Sequence, residues 1–172
     1  PQNRVHNITN GVRFLTGILI PPGEEFSTVG TLGEIDNTTG YLPELVIKGD
    51  ETIPEFGGGL CQVSTTLFRS VLNAGLPVIQ RRNHSYRVPY YEKDGEGNFI
   101  GPGLDATIYS PQPDFRFKND TKAHILIQGF VKGDTATFEL YGTGDGRKSF
   151  IDGPYTLEET PPGDPIYIET ED

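Results

Sequence analysis

The residue types able to do chemistry in this chain converge on one position. Cys61 is the only cysteine, and it stands in the run Gly57-Gly58-Gly59-Leu60-Cys61-Gln62-Val63-Ser64-Thr65-Thr66. The three glycines interrupt regular structure, after which Leu60, Val63, Leu67, Val71 and Ala74 recur at helical spacing. The thiol therefore falls in the first turn of a helix. The first N–H groups of a helix lack intrahelical partners, and the aligned peptide dipoles make that end positive. A thiol placed there has its pKa drawn toward neutrality, which populates the reactive thiolate. The same N–H groups could hold the oxyanion of a tetrahedral intermediate. Gly58 and Gly59 would let a substrate backbone approach closely. Gln62, Ser64 and Thr65 offer a substrate polar groups, or Ser64 and Thr65 simply satisfy helix N–H groups. A free cysteine is commonly just a small buried apolar side chain. Here it lies about 100° round from Leu60, off the centre of the apolar face, which favours a nucleophile.

A cysteine nucleophile needs a base, and the chain has three histidines. His84 follows the strand after the Cys61 helix, so a strand–turn return could set it beside the helix start, with Ser85 next to it. His6, in a helix, and His124, heading a strand, read as structural. Asp105 could orient the His84 ring as a third member, or act only as a turn residue. The densest basic cluster is Arg81 and Arg82 with Arg87 nearby. Any of the three could grip a substrate carboxylate through a bidentate pair, or be solvated surface charge. No metal site is expected, because three dispersed histidines and one cysteine lack ligand spacing. No nucleotide fingerprint is present, and no cofactor is expected.

The elements that must position these groups read as α+β, one dominant helix carrying the cysteine at its N-terminus and packed on mainly antiparallel strands. Residues 3–16 place Val5, Ile8, Val12 and Leu15 on a helical stripe, weakened by Asn10-Gly11. Ile18 to Ile20 is a short apolar run before a Pro21-Pro22-Gly23 turn, and Tyr41–Ile47 is the strand expected before the glycines. The Cys61 helix stops at Gly75 and Pro77. Strands are expected over Pro77–Arg82 and Asp105–Tyr109, separated by a Gly-rich, charged loop. His124–Val131 and Thr135–Tyr141 form a hairpin around Lys132-Gly133-Asp134.

The 172 residues suit one compact domain, alone or with a linker, and 22 Gly and 14 Pro without a period make it turn-rich. With 14 Lys and Arg against 24 Asp and Glu, the net charge is −10, and no basic stripe for nucleic acid exists. No apolar run reaches the roughly 18 residues that span a bilayer. The chain begins at Pro1 and holds no Met, so it is expected to be cut from a longer protein, with any export signal or anchor outside it. The oligomeric state is not legible.

Several blocks together resemble the VanW family: Asn7-Ile8, Pro22 to Ser27, Gly40-Tyr41, the block Gly57 to Leu67, Ala74-Gly75-Leu76, His84-Ser85, Leu104 to Thr107 and Asp114 to Asn119. The resemblance runs from about Arg4 to Tyr141 and is carried above all by the block around Cys61. It implies a VanW-like catalytic domain over residues 1–145, with residues 146–172 an extended linker toward a further module. It also implies an exported protein of the bacterial cell envelope, linked to glycopeptide resistance. Some members look like cysteine L,D-transpeptidases, which join peptidoglycan stem peptides by 3→3 cross-links. On that resemblance the catalytic set is Cys61, His84 and Asp105, and the partner is a tetrapeptide stem. The better-known L,D-transpeptidases place their histidine before the cysteine, in an S-x-G-C context absent here, so any shared activity rests on site geometry. Two other functions fit the same residues: a wall-binding accessory module without turnover, and a papain-like amidase or endopeptidase.

Overall fold

A computed structural model describes residues 2–48, 51–155, 157, 158, 160, 161 and 163. The chain forms α1 (Gln2–Leu15), β1 (Ile18–Ile20), β2 (Glu25–Ser27), α2 (Thr28–Leu32), β3 (Pro43–Lys48), β4 (Glu51–Phe56) and α3 (Leu60–Asn73). β5 (Val78–Gln80), a 3₁₀ turn (Pro89–Glu92), β6 (Arg116–Lys118), β7 (Ile125–Lys132) and β8 (Thr135–Tyr141) follow. The strands pair antiparallel in three small sheets, ordered β1-β7-β8, β2-β6-β5 and β3-β4. The mixed α+β architecture is the one the sequence implies.

α3 is the centre of the core. Val63, Leu67 and Val71 are fully buried, and Phe68 meets Phe115 edge-on at 5.5 Å. Each such side chain contributes on the order of 1.5–3 kcal/mol by leaving water. The helix ends where Gly75 takes φ +65°, a left-handed conformation that favours glycine.

α1 spans its predicted length and buries Val12 and Leu15 of the expected stripe, with Ile8 packed against the core, but its inward face is turned away from Val5. Val5, expected on the apolar stripe, is 49% exposed, whereas Asn7, Asn10, Gly11, Val12 and Leu15 are buried. The reason is close helix packing. A Cβ on Gly11 would lie 2.5 Å from Leu60 Cδ2, so the glycine that weakens α1 in isolation is what lets it reach the start of α3. Asn7 then ties the two together: its Nδ2 donates to the carbonyls of Leu42 (2.9 Å) and Gly58 (3.1 Å), and its Oδ1 accepts from the Leu42 N–H (2.8 Å). Asn7→Ala is expected to cost about 2–4 kcal/mol, since three backbone groups, one buried and two part-buried, lose their partners at once. A chemical denaturation curve with unchanged slope and a lowered midpoint would show it.

Two elements differ from expectation. The sequence implies one strand over Tyr41–Ile47. The structure has a two-stranded hairpin, β3 and β4, whose second strand was missed because Pro54 and three acidic or threonine positions mask the alternation. The predicted strand Asp105–Tyr109 is extended chain outside any sheet. It pairs with side chains and single loops instead: the Ala106 N–H donates to Thr65 Oγ1 (3.0 Å), and the Thr107 N–H to the Arg82 carbonyl (2.8 Å).

Of the expected linker, residues 164–172 lie outside the described residues. Its nearer part lies against the body: Arg147 Nη1 donates to the Gly75 carbonyl (2.9 Å) and to Asp120 (2.8 Å), and Ser149 Oγ donates to the Leu72 carbonyl (2.6 Å). Among the described residues, no helix is long and apolar enough to cross a membrane.

Candidate active site

One stripe of α3 assembles the site. Cys61, Thr65 and Arg69 stand four residues apart, hence on one edge of the helix, and all three face the chain between Tyr91 and Ile108. Thr65 holds both peptide groups of Ala106, and Arg69 donates to the carbonyls of Leu104 (2.9 Å), Lys93 (2.7 Å) and Tyr91. Cys61 Sγ sits 3.3 Å from Thr107 Oγ1 and 3.5 Å from the Ile108 carbonyl. Docking this segment along the stripe carries Asp105 to the helix start.

β5 delivers the other half. Just beyond it, Arg81 donates to the Asp105 carbonyl (2.7 Å) and the Gly103 carbonyl, and its guanidinium lies 5.2 Å from the Phe68 ring. That clamp fixes the backbone of Asp105, whose carboxylate also has the Arg81 guanidinium 3.6 Å away. His84 follows. Its backbone N–H donates to Asp105 Oδ2 (2.8 Å), and its ring Nδ1 lies 2.6 Å from the same oxygen. The ring is 9% exposed and stacks on Tyr91, centroids 5.0 Å apart at 23°. With Nδ1 on the carboxylate, Nε2 is left for another partner, and the ring and the Cys61 thiol lie near enough for each to shift the other's titration.

The electrostatics follow from these contacts. Burial alone would lower the His84 pKa, but the Asp105 hydrogen bond and the Cys61 sulfur outweigh it and hold the ring at about 9. Burial alone would raise the Cys61 thiol. Hydrogen bonds with His84, Thr107 and the Ile108 backbone, together with the His84 charge, bring it below its ordinary value. Burial also raises Asp105, and its two bonds from His84, with the His84 and Arg81 charges, keep it below the usual carboxylate range. Shifts in these directions favour a thiolate–imidazolium pair oriented by a carboxylate. Beside it, the Leu60 N–H donates to the Gly57 carbonyl and the Gln62 N–H to the Gly59 carbonyl, both at 3.0 Å. Among the described residues the Cys61 N–H has no acceptor, so it is open to an oxyanion on a carbonyl attacked by its own sulfur.

A cleft of about 870 Å³ opens on the thiol and is lined by Gly59, Cys61, Arg82, His84, Ser85 and Thr107, among others. Thus the structure brings together Cys61, His84 and Asp105, and it sets Gly59, Arg82 and Ser85 along the cleft. The remaining predicted substrate contacts lie elsewhere. Gly58 is buried against β3, where a Cβ would meet Glu44 Cβ at 2.8 Å. Ser64 is fully buried on the core face of α3, one step round from the Cys61 edge, and Thr65 is spent on Ala106. Gln62 faces a separate depression on the far side of His84. Of the three arginines, Arg81 is the clamp described above and Arg87 is paired with Glu92, which leaves Arg82. His6 bonds the Gly40 carbonyl at 2.8 Å, and His124 is exposed on the surface.

Sequence reasoning missed Arg69, Thr107 and Tyr91. Arg69 was legible as the third member of the four-residue stripe, and Thr107 adjoins Asp105 in a block already singled out. No local signal marks Tyr91, whose ring reaches His84 only through the 3₁₀ turn.

Residues 3–141 match the family described as VanW like protein. Over 142 residues, 83% of this chain and 44% of the other, it is 35% identical to "Uncharacterized protein YoaR" of Bacillus subtilis (strain 168). Over 159 residues, 87% of this chain and 56% of the other, it is 33% identical to "Vancomycin B-type resistance protein VanW" of Enterococcus faecalis (strain ATCC 700802 / V583). The chain thus spans about half the length of these curated relatives. No solved structure matches it.

Proposed function

Since the chain belongs to the VanW family, we propose that its thiol cleft performs acyl transfer on peptidoglycan stem peptides, as a cysteine L,D-transpeptidase outside the cytoplasm. The observation that carries this is the 2.6 Å bond between His84 Nδ1 and Asp105, which leaves Nε2 to serve a thiol already drawn toward its anion. A buried, carboxylate-bound histidine on a half-exposed cysteine is the arrangement nucleophilic catalysis needs. The name of the Enterococcus faecalis relative places that protein in vancomycin resistance, a setting in which peptidoglycan stems are the relevant chemistry.

In the first step the Cys61 thiolate attacks the carbonyl carbon of the third residue of a tetrapeptide stem. The tetrahedral oxyanion faces the Cys61 N–H. The bond to the terminal D-Ala nitrogen breaks, and the His84 imidazolium protonates that departing amine. A thioester remains. In the second step a side-chain amine of another stem attacks the thioester, gives its proton to His84 and releases the thiolate. Water in place of the amine makes the same site an L,D-carboxypeptidase. Asp105 keeps Nδ1 protonated throughout, and Arg82 and Ser85 line the path of the substrate.

The test is the intact mass of the protein after mixing with a disaccharide-tetrapeptide. An added mass equal to the stem minus D-Ala is expected. An unmodified protein with an intact stem after long incubation would reject acyl transfer and favour a binding module without turnover. Cleavage at any other bond would instead point to an amidase or endopeptidase.

A further inference from the structure

Arg4, near the start of α1, reaches the thiol cleft from a part of the chain that no motif connects with Cys61. It lines the cleft. Its stem lies across Gly59, where a Cβ would stand 3.1 Å from Arg4 Cγ; Gly59 is two residues before Cys61 and takes φ +114°. The guanidinium is fixed on one side by Nη2 donating to the Leu45 carbonyl of β3 at 3.1 Å. Its Nε is buried without an acceptor, and among the described residues no carboxylate lies within ion-pair distance of it. Arg4, Cys61 and Tyr91 line the same cleft, and the Tyr91 phenol feels both the Arg4 charge and the Cys61 thiol. A guanidinium held in place, partly withdrawn from water and short of hydrogen-bond partners is an unfinished site. Its planar fork suits a carboxylate.

We propose that Arg4 is the anion anchor of the thiol cleft and holds the terminal carboxylate of the acyl donor beside Cys61, an assignment that rests on the acyl-transfer function above. In such a donor the carboxylate lies one residue beyond the bond that breaks, so a cation must sit close to the sulfur. Arg82 also lines the cleft, but it is exposed, and among the described residues only its backbone carbonyl is engaged, by the Thr107 N–H. Two acids share the cleft, Glu34 and Glu55; Glu55 accepts from the Tyr109 hydroxyl at 3.1 Å, and among the described residues neither is within ion-pair distance of Arg4.

A charged and a neutral alkylating agent of similar size test the cation without needing any stem. The ratio of Cys61 alkylation rates, iodoacetate over iodoacetamide, is measured at low ionic strength. Arg4→Gln is expected to lower this ratio by about tenfold, as loss of one nearby partly buried charge should. Arg4→Lys retains most of it, and Arg13→Gln, which removes a charge from the far end of α1, leaves it as in the parent. With the stem as donor, the parent should prefer a free terminal carboxylate to a carboxamide. Arg4→Gln should erase that preference, and Arg4→Lys should weaken it by losing the fork while keeping the charge. An unchanged alkylation ratio in a folded Arg4→Gln protein overturns the proposal. So does a fall seen in Arg82→Gln in its place. If Arg4→Gln does not fold, equal ratios in Arg4→Lys and parent, with the carboxylate preference fully intact in Arg4→Lys, overturn the fork-specific role. A ratio that falls as expected while the parent never takes up a stem keeps the anion site and discards the acyl-transfer function.

Discussion

Cys61→Ala is expected to take up no acyl group from a tetrapeptide stem and to form no cross-link, while keeping its fold. The loss is complete because the sulfur forms the bond, and no other described side chain in the cleft is placed to replace it. The fold survives because the side chain is only half buried and α3 is held by Val63, Leu67 and Val71. Stability should change by about 1 kcal/mol, a shift of melting temperature of a few degrees. A second consequence separates this variant from a merely inert one. Two of the causes that raise His84 are its hydrogen bond and charge interaction with Cys61, so the ring pKa should fall from about 9 in Cys61→Ala. A folded-state pKa above the unfolded value of about 6.5 contributes stability that is full below that value and is lost as pH rises through the folded pKa. The alkaline loss of stability owed to His84 should therefore be smaller, and complete at lower pH, in the variant than in the parent. Thermal melts from pH 6 to 10 and a ring-proton titration would check it. A His84 pKa unmoved by the substitution would mean the thiol and ring are not coupled.

Asp105→Asn should cut the rate of Cys61 acylation by about 10²–10⁴-fold, the scale set by losing the carboxylate of a catalytic triad. The amide keeps the shape but not the charge, so the second side of the imidazolium is no longer held. His84 loses its carboxylate hydrogen bond and the associated charge, and its pKa falls. The thiol loses in turn the positive charge that helps draw it down, and its pKa rises. The sign is therefore fixed: the pH midpoint for alkylation by iodoacetamide should move upward from the parent value. The variant also leaves Arg81 facing a neutral group, at a cost of about 1–3 kcal/mol, which a denaturation curve separates from the kinetic effect. A midpoint that stays in place while stability falls would reduce Asp105 to a structural residue.

How much of this could be read from the sequence differs between the two halves of the site. The Gly57–Gly59 break, the apolar spacing from Leu60 to Val71 and the Gly75 stop specify α3 and put Cys61 in its first turn. The β7–β8 hairpin is equally local, with alternation on both sides of Lys132-Gly133-Asp134. These features are legible because each is encoded by neighbours within a few residues, through backbone conformation and a period of 3.6 or 2. The small strands β2 and β6 were not, since three residues carry no period.

The tertiary structure decided the rest. His84 and Asp105 are 21 positions apart, and their meeting depends on the Thr65 and Arg69 side chains docking an extended segment that belongs to no sheet. The burial of Gly11 against Leu60, and hence the arrival of Arg4 over Gly59, depends on how two helices pack. Ser64 and Thr65 looked like site residues because they follow Cys61 in the chain, but a helix rotates each successive side chain about 100°, and that rotation turned one into the core and the other onto Ala106. Sequence by itself determined which residue could be the nucleophile and which helix carries it. Only packing set His84, Asp105 and Arg4 around the thiol cleft, because contacts across long loops are set by the whole core rather than by any local pattern.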